Sequence, residues 1–140
     1  MIALVRPLLI DTNAYSAFMR GNGQIVEAIA IADHLRLSAV VLGELLGGFA
    51  AGSREAANRE ELARFLASPR VSLLPINDRT ADCYALVYSG LRRKGQPIPS
   101  NDLWIAASAL EHGCALLTLD AHFRHVDGLR CGTCLQDFLP

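Results

Sequence analysis

A chain of 140 residues has the common size of one domain, and 51% apolar against 19% charged residues excludes a disordered or fibrous protein. Thirteen Lys+Arg against fourteen Asp+Glu leave a net charge of -1, so there is no global basic field for nucleic acid and any such partner must be held by a local patch. A mean hydropathy of +0.26 is high for a small domain and points to an apolar surface made for a subunit or partner.

In chain order, residues 7–10 (PLLI) read as a first strand, followed by helices over 13–20 and 23–34. Residues 36–39 (RLSA) form a second strand, then a helix over 40–51. Next comes a helix over 54–67 with Ser53 as its N-cap and Ser68-Pro69 as its stop. A third strand over 71–75 (VSLLP) precedes a long helix over 78–94, capped by Asn77 or Asp78 and ended by Gly95, Pro97 and Pro99. A helix over 101–112, a strand over 114–119 (CALLTL) and a weaker fifth strand over 129–135 complete the pattern. The unbroken apolar runs suit strands buried on both faces. Strands alternating with helices predict a three-layer α/β/α sandwich around a mostly parallel sheet of four to five strands, as one domain over 1–140.

No stretch of about 18 uncharged apolar residues occurs, so no membrane span is expected. The opening MIALVRPLLID meets an acid at Asp11 and lacks the basic leader and long apolar core of a secretory signal, which predicts a cytoplasmic protein. Cys83 and Cys114 stand in apolar stretches as small buried thiols. Cys131 and Cys134 form a C-x-x-C without the second pair that a zinc site needs, so incidental structure is the better reading.

Most of the acids lie in polar company, but four do not. Asp11 and Asp120 each follow an apolar strand, Asp102 falls in the first turn of its helix, and Glu44 sits within VVLGELLGGF. Singly, each has an ordinary explanation as a cap, a first-turn charge, a turn residue or a solvent-facing acid. Together, all four fall on the edge where strands end and helices begin, and ligand crevices of parallel sheets form there. Two like charges ~4 Å apart repel by about 4 kcal/mol at an effective dielectric of ~20. Four therefore require protons or a divalent cation. Oxygen ligands favour Mg²⁺ or Mn²⁺, whose chemistry serves phosphodiester hydrolysis.

At these residues the sequence resembles the PIN-domain family, and within it the VapC-type toxin ribonucleases. Asp11-Thr12-Asn13 resembles the family's opening motif after the first strand. LSAVVLGELLGGF resembles the segment bearing its Glu, GQPIPSNDLWIAASAL the block with its third acid, and LLTLDAHF the closing motif with Thr118, Asp120 and Phe123. The resemblance covers nearly the whole chain. It implies an Mg²⁺- or Mn²⁺-dependent endoribonuclease, a homodimer, and inhibition by a small antitoxin protein encoded beside it. It further implies Asp11 and Asp102 as principal metal ligands, Glu44 and Asp120 completing the acidic pocket, and Thr12, Asn13 and Thr118 orienting the carboxylates.

Beside these, Arg92-Arg93-Lys94 is the densest basic cluster, read either as a grip on RNA phosphates or as cations complementing a helix end. His122 and His125 are more simply surface histidines than a base or ligand, and Trp104 is expected to pack. Gly47-Gly48 costs helix stability and suggests close approach of another chain or of RNA. Signatures for nucleotide cradles and serine hydrolases are missing. The competing readings are a PIN-like scaffold that binds RNA or protein without cutting, and an RNA-processing nuclease outside any toxin–antitoxin pair.

Overall fold

The computed structural model describes residues 6–140; residues 1–5, part of the stretch read above against a leader, lie outside it. Two short apolar runs make the centre of a sheet. Strands β1 (Leu8–Ile10) and β4 (Ala115–Leu117) are buried at every position, as strands covered on both faces must be. They pair in parallel, Leu8 against Ala115 and Ile10 against Leu117. Strand β2 (Leu35–Ser38) joins the other side of β1, and β3 (Val71–Leu74) lies outside β2. At the opposite edge β5 (Cys131–Gly132) pairs with β4. The order is β3-β2-β1-β4-β5, with every neighbour parallel.

Parallel strands need crossovers, and helices supply them. Helices α1 (Thr12–Met19) and α2 (Gly23–Ile31) link β1 to β2; α3 (Ala39–Ala51) and α4 (Glu55–Leu66) link β2 to β3; α5 (Asp78–Lys94) and α6 (Ser100–Glu111) link β3 to β4. The result is the expected three-layer α/β/α arrangement. From β1 the chain builds outward to β2 and β3, and then returns to add β4 and β5 on the other side. The carboxyl ends of β1 and β4 therefore flank the point where strand order reverses, and a crevice opens outside such a point.

Local chemistry sets the element ends. Asn77 caps α5 in a reciprocal box with Thr80, and Gly95 closes that helix in the left-handed region at φ 67°. The buried Ser38 accepts from the Val41 N–H and starts α3. Thr80, early in α5, donates to Glu111 at the end of α6, so these two helices run antiparallel. Trp104 of α6 packs against Tyr84 of α5 with ring centroids 4.3 Å apart, the packing role expected of it.

Four expectations need correction. Ser53 does not cap α4; Arg54 takes that position with no side-chain bond, so the helix rests on packing instead. The fifth strand shrinks from 129–135 to Cys131–Gly132, because Leu135–Phe138 turns into a 3₁₀ segment held by the Asp137 carboxylate. Strand β3 is an edge, and its Leu73 is exposed rather than covered. Cys83 is only half-buried, whereas Cys114 is buried as expected. Among the described residues, nothing beyond the helix's own backbone lies within 4 Å of a Cβ added at Gly47 or Gly48, so close packing within these residues does not require the glycines.

Candidate active site

Asp11 ends β1 and also serves as the N-cap of α1, its Oδ1 accepting from the Thr12 N–H at 2.8 Å. The capping role and the rim position are thus the same fact. Its other oxygen, Oδ2, accepts from the Thr118 hydroxyl at 2.7 Å, across the gap between β1 and β4. The carboxyl is buried, and loss of solvent pushes its pKa up to about 6. The Thr118 and Thr12 donors pull it back down, while the charges of Asp102 and Asp120 add to the rise.

Asp120 follows β4, and its N–H donates to Thr118 Oγ1 at 3.0 Å. Asn13 spans the same gap. Its Oδ1 accepts from the Leu119 N–H, and its Nδ2 donates to Asp120 Oδ2 at 3.0 Å. Asp102 sits in the first turn of α6, where burial raises its pKa, His122 lowers it, and Asp120 and Glu44 raise it again. Glu44 faces in from α3. The Thr12 hydroxyl donates to its Oε1 and the Asn101 amide to its Oε2. Thus Thr12, Asn13 and Thr118 each hold a carboxylate with a neutral donor.

One ligand atom from each of Asp102, Asp120 and His122 lies within 4.8 Å of the others. Asp11 and Glu44 stand beside this group, close enough for their charges to be felt by it. Among the described residues, no Lys or Arg lies within ion-pair distance of any of the four acids. A buried aspartate and further acids beside it, met by the His122 imidazole alone and by no Lys or Arg among the described residues, form a donor set that suits a divalent cation.

The basic cluster lies elsewhere on the rim. Lys94 is tied to Asp127 and to the His125 carbonyl, Arg92 reaches Tyr88, and Arg93 reaches Ser89. All three close the last turn of α5, so they do complement a helix end. Because α5 and α6 are antiparallel, that turn also lies toward the start of α6, which carries Asp102. Of the polar neighbours of the acids, Asn101 was not singled out from the sequence, and His122, expected as a surface histidine, instead lies 2.9 Å from Asp102. Their adjacency to Asp102 and Asp120 was the available signal. Arg124 was missed as well; it lines a groove of about 180 Å³ with Thr118, Asp120 and Thr133.

The PIN-domain family model matches residues 8–129, which takes in all four acids. This chain belongs to the PIN-domain family. It is 42% identical over 85 residues to ribonuclease VapC4 of Mycobacterium tuberculosis, a match covering 60% of this chain and 65% of that one. It is 31% identical over 120 residues to ribonuclease VapC5 of the same organism, covering 86% and 87% of the two chains. Among solved structures, the VapBC-5 toxin–antitoxin complex of Mycobacterium tuberculosis superposes with a TM-score of 0.66 at 26% identity, covering 96% of this chain and 98% of that one. The family resemblance read from Asp11-Thr12-Asn13 and the three later motifs therefore holds, and so does the fold it implied.

Proposed function

We propose that this PIN-domain protein is an Mg²⁺- or Mn²⁺-dependent endoribonuclease, carried by a single nuclease domain over 1–140 and acting as the toxin of a toxin–antitoxin pair. The observation that carries the reading is the meeting of Asp102 and Asp120 beside Asp11 and Glu44 at the strand-order reversal, where, among the described residues, the single imidazole of His122 faces four acids and no Lys or Arg reaches them. A pure binding scaffold would gain nothing from that repulsion. Relatives named ribonuclease VapC support the reaction class, and the likeness to a VapBC complex supports an antitoxin protein as partner. A homodimer and a cytoplasmic location belong to the same reading; among the described residues, no helix is long and apolar enough to cross a membrane.

In this proposal Asp11, Asp102, Glu44 and Asp120 hold the ion. When bound, it supplies Lewis acidity, acidifying water and offsetting the charge that grows on phosphoryl oxygens. The chain's own groups supply order. Thr118 fixes Asp11 and the backbone of Asp120 together, Asn13 sets the free face of Asp120, and Thr12 with Asn101 aims Glu44. Such neutral donors set carboxylate geometry before substrate arrives, so little reorganisation is left for the reaction itself. Arg92, Arg93 and Lys94 take phosphates flanking the scissile bond, since a net charge of -1 leaves only local patches for that task.

Incubating the purified protein with total RNA tests the reading. Discrete fragments should appear with Mg²⁺ or Mn²⁺ and vanish with EDTA, and Asp102→Asn should lower cleavage by at least 100-fold. Equal cutting by wild type and variant would overturn the proposal.

A further inference from the structure

His122 lies two positions beyond Asp120, in the 3₁₀ turn Ala121–His125, with its ring against Phe123 at a centroid distance of 4.7 Å. That contact aims Nε2 back at the acids, where it stops 2.9 Å from Asp102 Oδ2. The approach is close but not aligned as a hydrogen bond, and the buried Nε2 has no other partner. A direct imidazole–carboxylate pair would place its N–H on the line to the oxygen. Two donors turned toward a shared third body would not. Adjacent ligands of an octahedral ion bound at about 2.1 Å stand ~3 Å apart, which is the spacing seen here.

We propose that His122 is a nitrogen ligand in the acidic centre, completing a mixed set with Asp102 and Asp120 that selects Mn²⁺ over Mg²⁺. This rests on the reading of the acids as a divalent-cation site. The selectivity follows from donor chemistry. Mg²⁺ demands oxygen and gives up water reluctantly, whereas imidazole nitrogen suits the transition metals. His125 is outside the group whose ligand atoms converge, and its backbone carbonyl accepts from Lys94.

Pulsed electron paramagnetic resonance on the Mn²⁺-loaded protein tests this without reference to activity. Wild type should show nitrogen coupling to bound Mn²⁺ that changes when histidine is supplied as ¹⁵N. His122→Phe, which keeps the ring packing against Phe123, should abolish the coupling. By titration it should weaken Mn²⁺ binding about 10-fold or more, while Mg²⁺ binding changes less than about 3-fold. Mn²⁺ bound at the acids with no histidine coupling would overturn the role of His122 and leave the acidic centre standing. Coupling that survives both His122→Phe and Asp102→Asn would place the ion on another histidine and overturn the assignment. If wild type binds Mg²⁺ but no Mn²⁺, the inference falls alone; if it binds neither ion, the functional reading falls with it.

Discussion

Thr118 holds two acids at once, donating to Asp11 Oδ2 and accepting from the Asp120 N–H. Thr118→Val keeps the shape and removes both bonds, so RNA cleavage should fall about 10–100-fold while circular dichroism stays unchanged. Asp11 itself makes a prediction about stability. Its folded pKa of about 6 exceeds the ordinary 3.8, so the folded chain prefers the protonated carboxyl. The stability this group contributes is full below about pH 3.8 and is lost as pH rises through about 6. Asp11→Asn stays uncharged and keeps a good cap residue. Above pH 6 the EDTA-treated variant should therefore exceed EDTA-treated wild type by roughly 1–3 kcal/mol in urea denaturation, and the difference should vanish near pH 4. Divalent ion should close the gap from the wild-type side.

Element ends were written in particular residues. Asn77, Gly95 and Pro99 marked helix boundaries through backbone chemistry that acts over three or four positions, and the chain obeys them. Ser53 misled because a cap competes with tertiary packing, and α4 starts one residue later without any side-chain bond. Of these ends, the start of α3 matters most to the acids. Ser38 is fully buried and satisfies the Val41 N–H, and α3 carries Glu44. Ser38→Ala should cost about 1–2 kcal/mol in thermal or urea unfolding. It should also lower cleavage more than an equal destabilisation placed at the remote Asn77→Ala cap, since only the former frees the helix that aims Glu44.

For the molecule as a whole, the acids could be assigned to one edge of a sheet from sequence, but their meeting could not. That depends on β4 entering beside β1 rather than beyond β3, and strand order leaves no local trace. His122 was read as a surface residue for the same reason: a histidine five residues past a strand gives no sign of the acids until the 3₁₀ turn folds it back over Asp102. The placement of α5 against α6 also carries a prediction. Replacing Arg92 and Arg93 together by Glu should weaken RNA binding and flatten its dependence on salt by roughly one phosphate contact per residue, as read by filter binding across a salt series. Unchanged binding would confine these cations to their role at the helix end.

The central strand β1 waits a long time for its second neighbour. Asp11 and Thr118 meet across 107 positions, and β4 arrives only after six helices have been synthesised. Until then the free edge of β1 exposes unpaired backbone, a recognised invitation to aggregation and proteolysis. A message cut short or a ribosome stalled before Ala115 therefore yields a polypeptide that lacks Asp120 and cannot close its own sheet. Such a truncated chain is a substrate for proteases, and at its longest it carries Asp11, Glu44 and Asp102 without the strand that brings Asp120 to them.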